Sequence, residues 1–92
     1  MTNYYIFKRD YLTGKTMIIC NGSHNDEREC RIHWQSYMYG FMDGAFEMLG
    51  RDNFQMQAGT HKLSFLFTAV GRNVEYFMLF DQAGRDLIEE IA

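Results

Sequence analysis

A chain of 92 residues with a net charge of −3 has the size of one domain and lacks the basic surplus that bulk-charge binding to nucleic acid requires. Eight Phe, six Tyr, one Trp and seven Met exclude a disordered chain and exceed what a small core comfortably hides. The N-terminal run meets Lys8 and Arg9 too early for a hydrophobic leader, so the two cysteines are expected as free thiols in a cytosolic protein.

The run Asn3–Arg9 is rich in β formers. Tyr11-Leu12-Thr13-Gly14 then reads as a turn, with Gly14 free to take positive φ. Lys15–Asn21 returns as a second strand and completes a hairpin. Along it, Tyr4, Tyr5, Phe7, Lys8, Arg9, Tyr11 and Lys15 interleave aromatics with bases. On an open sheet this pattern suits stacked bases with phosphates nearby. An ordinary amphipathic hairpin with Lys and Arg turned outward is the plainer explanation. Tyr5, Lys8, Arg9 and Lys15 are the candidate RNA contacts.

Asn21-Gly22 reads as a break, and Ser23 as the N-cap of a helix that runs to Leu49 and stops at Gly50. Asp26 and Glu27 place negative charge in its first turn, where the helix dipole favours it. One stripe, Cys30, Trp34, Tyr37, Met38, Phe41, Ala45, Met48 and Leu49, is the expected core face. A thinner line, Ile32, Tyr39 and Phe46, recurs every seven residues on the opposite side, flanked by Arg28, Gln35 and Asp43. Gly40 and Gly44 form a flat strip on the flank of the core stripe, suited to close helix-on-sheet contact or to the approach of another chain. A domain with one such helix has no obvious internal use for the second line, unless the C-terminal helix folds over part of it. Tyr and Arg beside apolar side chains are typical of interface hot spots, although isolated exposed apolar residues are also normal. Arg28, Arg31, Ile32, Gln35, Tyr39 and Phe46 are the candidate partner-binding residues.

Three alternating runs follow: Asn53–Ala58, Lys62–Ala69 and Asn73–Phe80, separated by Gly59-Thr60 and Gly71-Arg72-Asn73. Met17, Met38, Met48 and Met78 fall on expected inward faces, as core gap-fillers. The tail, Gln82–Ala92, forms a short helix through Leu87, Ile88 and Ile91. The order ββ-α-βββ-α predicts a single α+β domain over residues 1–92. It is an antiparallel β-sheet of four to five strands, with one long helix packed on one face and a short C-terminal helix over part of the other. Gln35, Asp43 and Glu47 interrupt the long helix too often for a membrane span.

No catalytic constellation stands out. Asp43 and Glu47 are spaced i, i+4 on a helix surface, where carboxylates are normally solvated and mildly repel. No G-x-S-x-G, no Cys/His pair with a third orienting residue and no phosphate-cradling glycine pattern is present. Cys20, His24, Cys30 and His33 have zinc-ligand chemistry within fourteen residues, but their spacing is not that of a usual knuckle, and Cys30 lies in the core stripe. No metal or cofactor is assigned.

Taken whole, MTNYYIFKRDYLTGKTMIICNGS followed by the Trp/Tyr/Met/Phe helix resembles the small phage-encoded anti-CRISPR proteins, among them inhibitors of type I-F systems. These families share no common motif, so no residue role transfers by position. The resemblance implies a non-enzymatic inhibitor in the cytoplasm of the host bacterium, acting as a monomer. It would bind Cas protein subunits of the crRNA-guided surveillance complex, with the crRNA as a further contact, and block target DNA binding. The modest net charge departs from the strongly acidic members that imitate DNA, which favours docking across protein subunits. The alternative is a small RNA- or ssDNA-binding module on the N-terminal hairpin.

Overall fold

In the computed structural model, residues 1–49, 54–58, 63–69 and 72–92 are described, with side chains at 1–38, 64, 66, 68 and 73–92. The architecture is α+β: an antiparallel sheet with two helices. Strands β1 (Thr2–Asp10) and β2 (Thr16–His24) form the N-terminal hairpin. Asp10 shapes its loop, because Oδ1 accepts from the backbone N–H of Leu12 and Thr13 at 2.9 and 3.4 Å. Gly14 then takes a φ of 74°, open to glycine without steric cost.

The second strand does not end at Asn21-Gly22. It continues to His24, with Tyr4 opposite Gly22 and Asn3 opposite Ser23. Ser23 is therefore a strand residue and not the helix cap. Gly22 serves close approach here: a Cβ at this position would lie 2.7 Å from the Tyr4 hydroxyl oxygen. Helix α1 (Glu27–Leu49) starts after Asp26. The Asp26 carboxylate accepts from the Glu29 N–H at 2.9 Å, and the Glu29 carboxylate reaches back to the Asn25 N–H at 3.1 Å. The first bond satisfies a donor that the helix itself leaves open, and the second ties the residue before the cap to the first turn.

Strands β3 (Phe54–Ala58), β4 (Leu63–Ala69) and β5 (Arg72–Phe80) complete a sheet of order β2-β1-β5-β4-β3. The strand β5 passes straight into α2 (Asp81–Ile91). Asp81 makes that corner at a φ of 48°, a left-handed conformation that Asp tolerates better than most residues. Its carboxylate accepts from the Asn3 N–H at 2.9 Å, tying the corner to β1.

Strand alternation sorts the side chains to two faces. On one face Tyr4, Ile6, Met78 and Phe80 cluster with Cys30, Trp34 and Met38 of α1, and Ile19, Cys20 and Tyr76 pack against them. A bulge helps: Ile6 lies opposite Cys20 while Phe7 lies opposite Ile18, so Ile19 is the extra residue and both it and Cys20 meet the cluster. Two expected core residues fall outside. Tyr37 is 41% exposed and Met17 is 56% exposed, because Tyr37 sits on the flank of the helix and Met17 on an edge strand before the bulge. Phe41, Ala45, Met48 and Leu49, with Gly40, Gly44 and Gly50, lie outside the described side chains or residues.

On the other face Phe7 and Phe77 are buried and stacked 5.3 Å apart, and the Arg9 guanidinium lies 4.9 Å from the Phe77 ring centre. Here α2 brings Gly84 down onto the Tyr5 ring. Among the described residues no helix is long and apolar enough to cross a membrane.

Candidate partner-docking surface

The face of α1 turned from the sheet carries Arg28, Ile32 and Gln35, all exposed, with Ile32 at 53%. They follow from periodicity: positions four and three apart share a helix face, and Cys30, Trp34 and Met38 occupy the buried one. Arg31 turns toward the sheet, its guanidinium 5.7 Å from the Phe80 ring centre. It is half-buried, and its alkyl stem serves packing as much as contact with a partner. Tyr39 and Phe46 belong to the same expected line, but their side chains lie outside those described.

Beside Ile32 a groove of about 320 Å³ is lined by His24, Glu29, Ile32 and His33. Its wall is a cluster of rings around Tyr4. The phenol stacks on His24 at 5.5 Å with the planes 10° apart, and tilts against His33 at 4.9 Å. His24 and His33 lie 5.5 Å apart, and Tyr37 continues the row 6.5 Å beyond His33. Tyr4 Oη and His33 Nε2 share a hydrogen bond of 3.1 Å, which pins the helix to the sheet. Burial raises the Tyr4 pKa above the ordinary phenol value, and the nearby Cys20 and Cys30 thiols add to the rise. Periodicity did not mark Tyr4 as the centre of this row. Only the strand pairing that sets it opposite Gly22 does so.

The four zinc-type residues divide between other tasks. Cys30 is buried and its thiol donates to the Thr2 carbonyl at 3.8 Å, while His33 is engaged by Tyr4. Burial raises the Cys30 pKa. A hydrogen bond at the His24 backbone opposes the shift, while Asp81, Asp26 and Glu27 reinforce it. Such a thiol is a poor ligand and a poor nucleophile. Among the described residues no three His, Cys, Asp or Glu side chains are arranged to hold a metal ion.

The hairpin residues proposed for RNA lie on differing surfaces. Tyr5 is half-buried against α2, with Gly84 on its ring. Arg9 donates from Nε to the Thr16 hydroxyl at 3.1 Å and covers Phe77. Lys8 is half-buried and Lys15 is exposed. Tyr4 and Phe7 are buried, and Tyr11, at 51% exposed, donates to the buried Glu75 carboxylate at 2.9 Å. Among the described residues of the hairpin, Tyr11 alone offers an exposed ring, whereas single-strand binding stacks successive bases. Comparison with family models, with curated proteins and with solved structures finds no match.

Proposed function

We propose that this chain is a non-enzymatic phage inhibitor of CRISPR–Cas immunity. It acts in the cytoplasm of the host bacterium by binding the type I-F crRNA-guided surveillance complex and blocking target DNA binding. The class of inhibitor rests on the resemblance of the sequence to small anti-CRISPR proteins. The mode of action rests on one observation, the exposed Ile32 between Arg28 and Gln35 on the outer face of α1. An apolar anchor ringed by polar and basic side chains is the usual composition of an interface centre. A standard interface draws about 20–30 residues from each side, so exposed side chains beyond this line join it. The covered aromatics of the hairpin favour this reading over an RNA- or ssDNA-binding module.

Affinity capture from a bacterial lysate with a type I-F system tests it. Cas proteins are recovered together with crRNA, and Ile32→Asp abolishes recovery, since burying a carboxylate at the centre of an interface costs several kcal/mol. Tight binding to naked RNA with no Cas protein recovered overturns the proposal in favour of the nucleic-acid module.

A further inference from the structure

Among the described residues, β2 is the outermost strand on one side of the sheet and pairs only with β1. Natural edges are normally blunted by charge, by proline or by brevity. This edge runs for nine residues, Thr-Met-Ile-Ile-Cys-Asn-Gly-Ser-His, with no Asp, Glu, Lys, Arg or Pro. Its one irregularity is the bulge at Ile19, beyond which Cys20–His24 pairs regularly with Ile6–Thr2. Open volume gathers along the same side. The His24–Glu29–Ile32–His33 groove lies at one end of β2, and a hollow of about 620 Å³ lined by Gly14, Lys15, Thr16, Met17 and Ile91 lies at the other.

We infer that β2 pairs antiparallel with β2 of a second copy, joining two sheets edge to edge about a two-fold axis at Gly22. The regular segment Cys20–His24 has Gly22 at its midpoint. Pairing about it sets Asn21 opposite Ser23 of the other copy twice over, and both side chains are exposed and able to exchange hydrogen bonds. An uncharged strand meets its own copy without like-charge repulsion. A two-fold axis normal to the sheet also leaves both α1 helices on one face with their β2-side flanks toward each other. That flank carries His33 and the 41%-exposed Tyr37. A second copy therefore satisfies the edge and turns the two ring rows toward each other, while Arg28, Ile32 and Gln35 stay turned outward.

The experiment uses the full chain alone, so its failure leaves the inhibitor reading standing. Light scattering and sedimentation from about 1 to about 100 μM follow the mass by mass action. The expected result is a rise from 10.9 kDa toward twice that value. Asn21→Lys with Ser23→Lys brings four ammonium groups together at the axis and holds the chain at monomer mass, with an unchanged circular dichroism spectrum. Hydrogen exchange on the native chain provides a readout that needs no variant: the amides within Cys20–His24 that point away from β1 slow by about tenfold as concentration rises. A mass that stays at one chain throughout overturns the inference. So does a double-lysine variant that associates like the native chain, or exchange at β2 that is indifferent to concentration.

Discussion

Tyr4 Oη and His33 Nε2, 3.1 Å apart, link the N-terminal hairpin to α1. The Cys30 thiol adds a weaker link to the Thr2 carbonyl, and Ile6, Trp34, Met38 and Met78 pack around both. Tyr4→Phe keeps the ring and removes the link. An average hydrogen bond contributes about 1 kcal/mol net, so urea denaturation should show a loss of about that size. Tyr4→Ala also opens a cavity beside Gly22 and should cost about 3–5 kcal/mol, as large aromatic truncations in cores do. Equal losses in the two variants would show that the ring contributes nothing beyond its hydroxyl.

The start of α1 gives a paired test. Asp26 caps the helix through the Glu29 N–H, whereas Ser23 lies in β2 opposite Asn3. Asp26→Ala should lower stability by about 1 kcal/mol, the usual cost of a lost N-cap. Ser23→Ala, on an exposed strand position, should stay within about 0.5 kcal/mol. The reverse order in thermal or urea unfolding would restore Ser23 as the cap.

That contrast shows what the sequence could and could not display. The i, i+4 steps from Cys30 to Trp34 to Met38 are a local signal, and burial follows them. Alternation in β5 likewise finds Val74, Met78 and Phe80 buried, but Glu75 and Phe77 of the other face are buried too and Tyr76 only half. Asn21-Gly22-Ser23 carried equally local signals for a turn and a cap. They lost to a non-local demand, the need for a residue without a Cβ under the Tyr4 ring. The Asp26-x-x-Glu29 pattern was present in the sequence and is a sound cap signature, but Ser23 stood first in the chain. Of the candidate docking surface, Arg28, Ile32 and Gln35 were legible from periodicity. The Tyr4–His24–His33–Tyr37 row was not, because it joins β1, β2 and α1 through strand register and the bulge at Ile19.

Gly84 occupies the interior of α2, where Ala would ordinarily gain about 1 kcal/mol in helix propensity. Here a Cβ would collide with Tyr5 Cδ2 and come 2.8 Å from Cγ, near the root of the ring, where the side chain cannot swing aside. Overpacking of this kind costs about 1–3 kcal/mol, so Gly84→Ala should be destabilising on balance. In a Tyr5→Ala background the same substitution should become stabilising, because the obstacle is gone. The double-mutant cycle reads this coupling directly, and additive effects would mean that α2 does not rest on Tyr5.

Alkaline pH should loosen the fold through three groups. Burial raises the pKa of Cys30, Tyr4 and Tyr76, with neighbouring Tyr37 adding to the rise at Tyr76. Their ordinary values are 9.0 for the thiol and 10.0 for the phenols. Above those values the unfolded chain has released protons that the folded chain still holds. Fewer protons bound to the unfolded state means that stability falls as pH rises. Their contribution is therefore intact below about pH 9 and drains away above it, Cys30 first and the phenols after. Urea midpoints taken at rising pH should drop from about pH 9 upward. Cys30→Ala, although less stable throughout, should move the onset of that drop toward the phenol range. A native chain whose midpoint stays flat to pH 10.5, roughly half a unit past the ordinary phenol value, would mean that these side chains are open to water in the folded state.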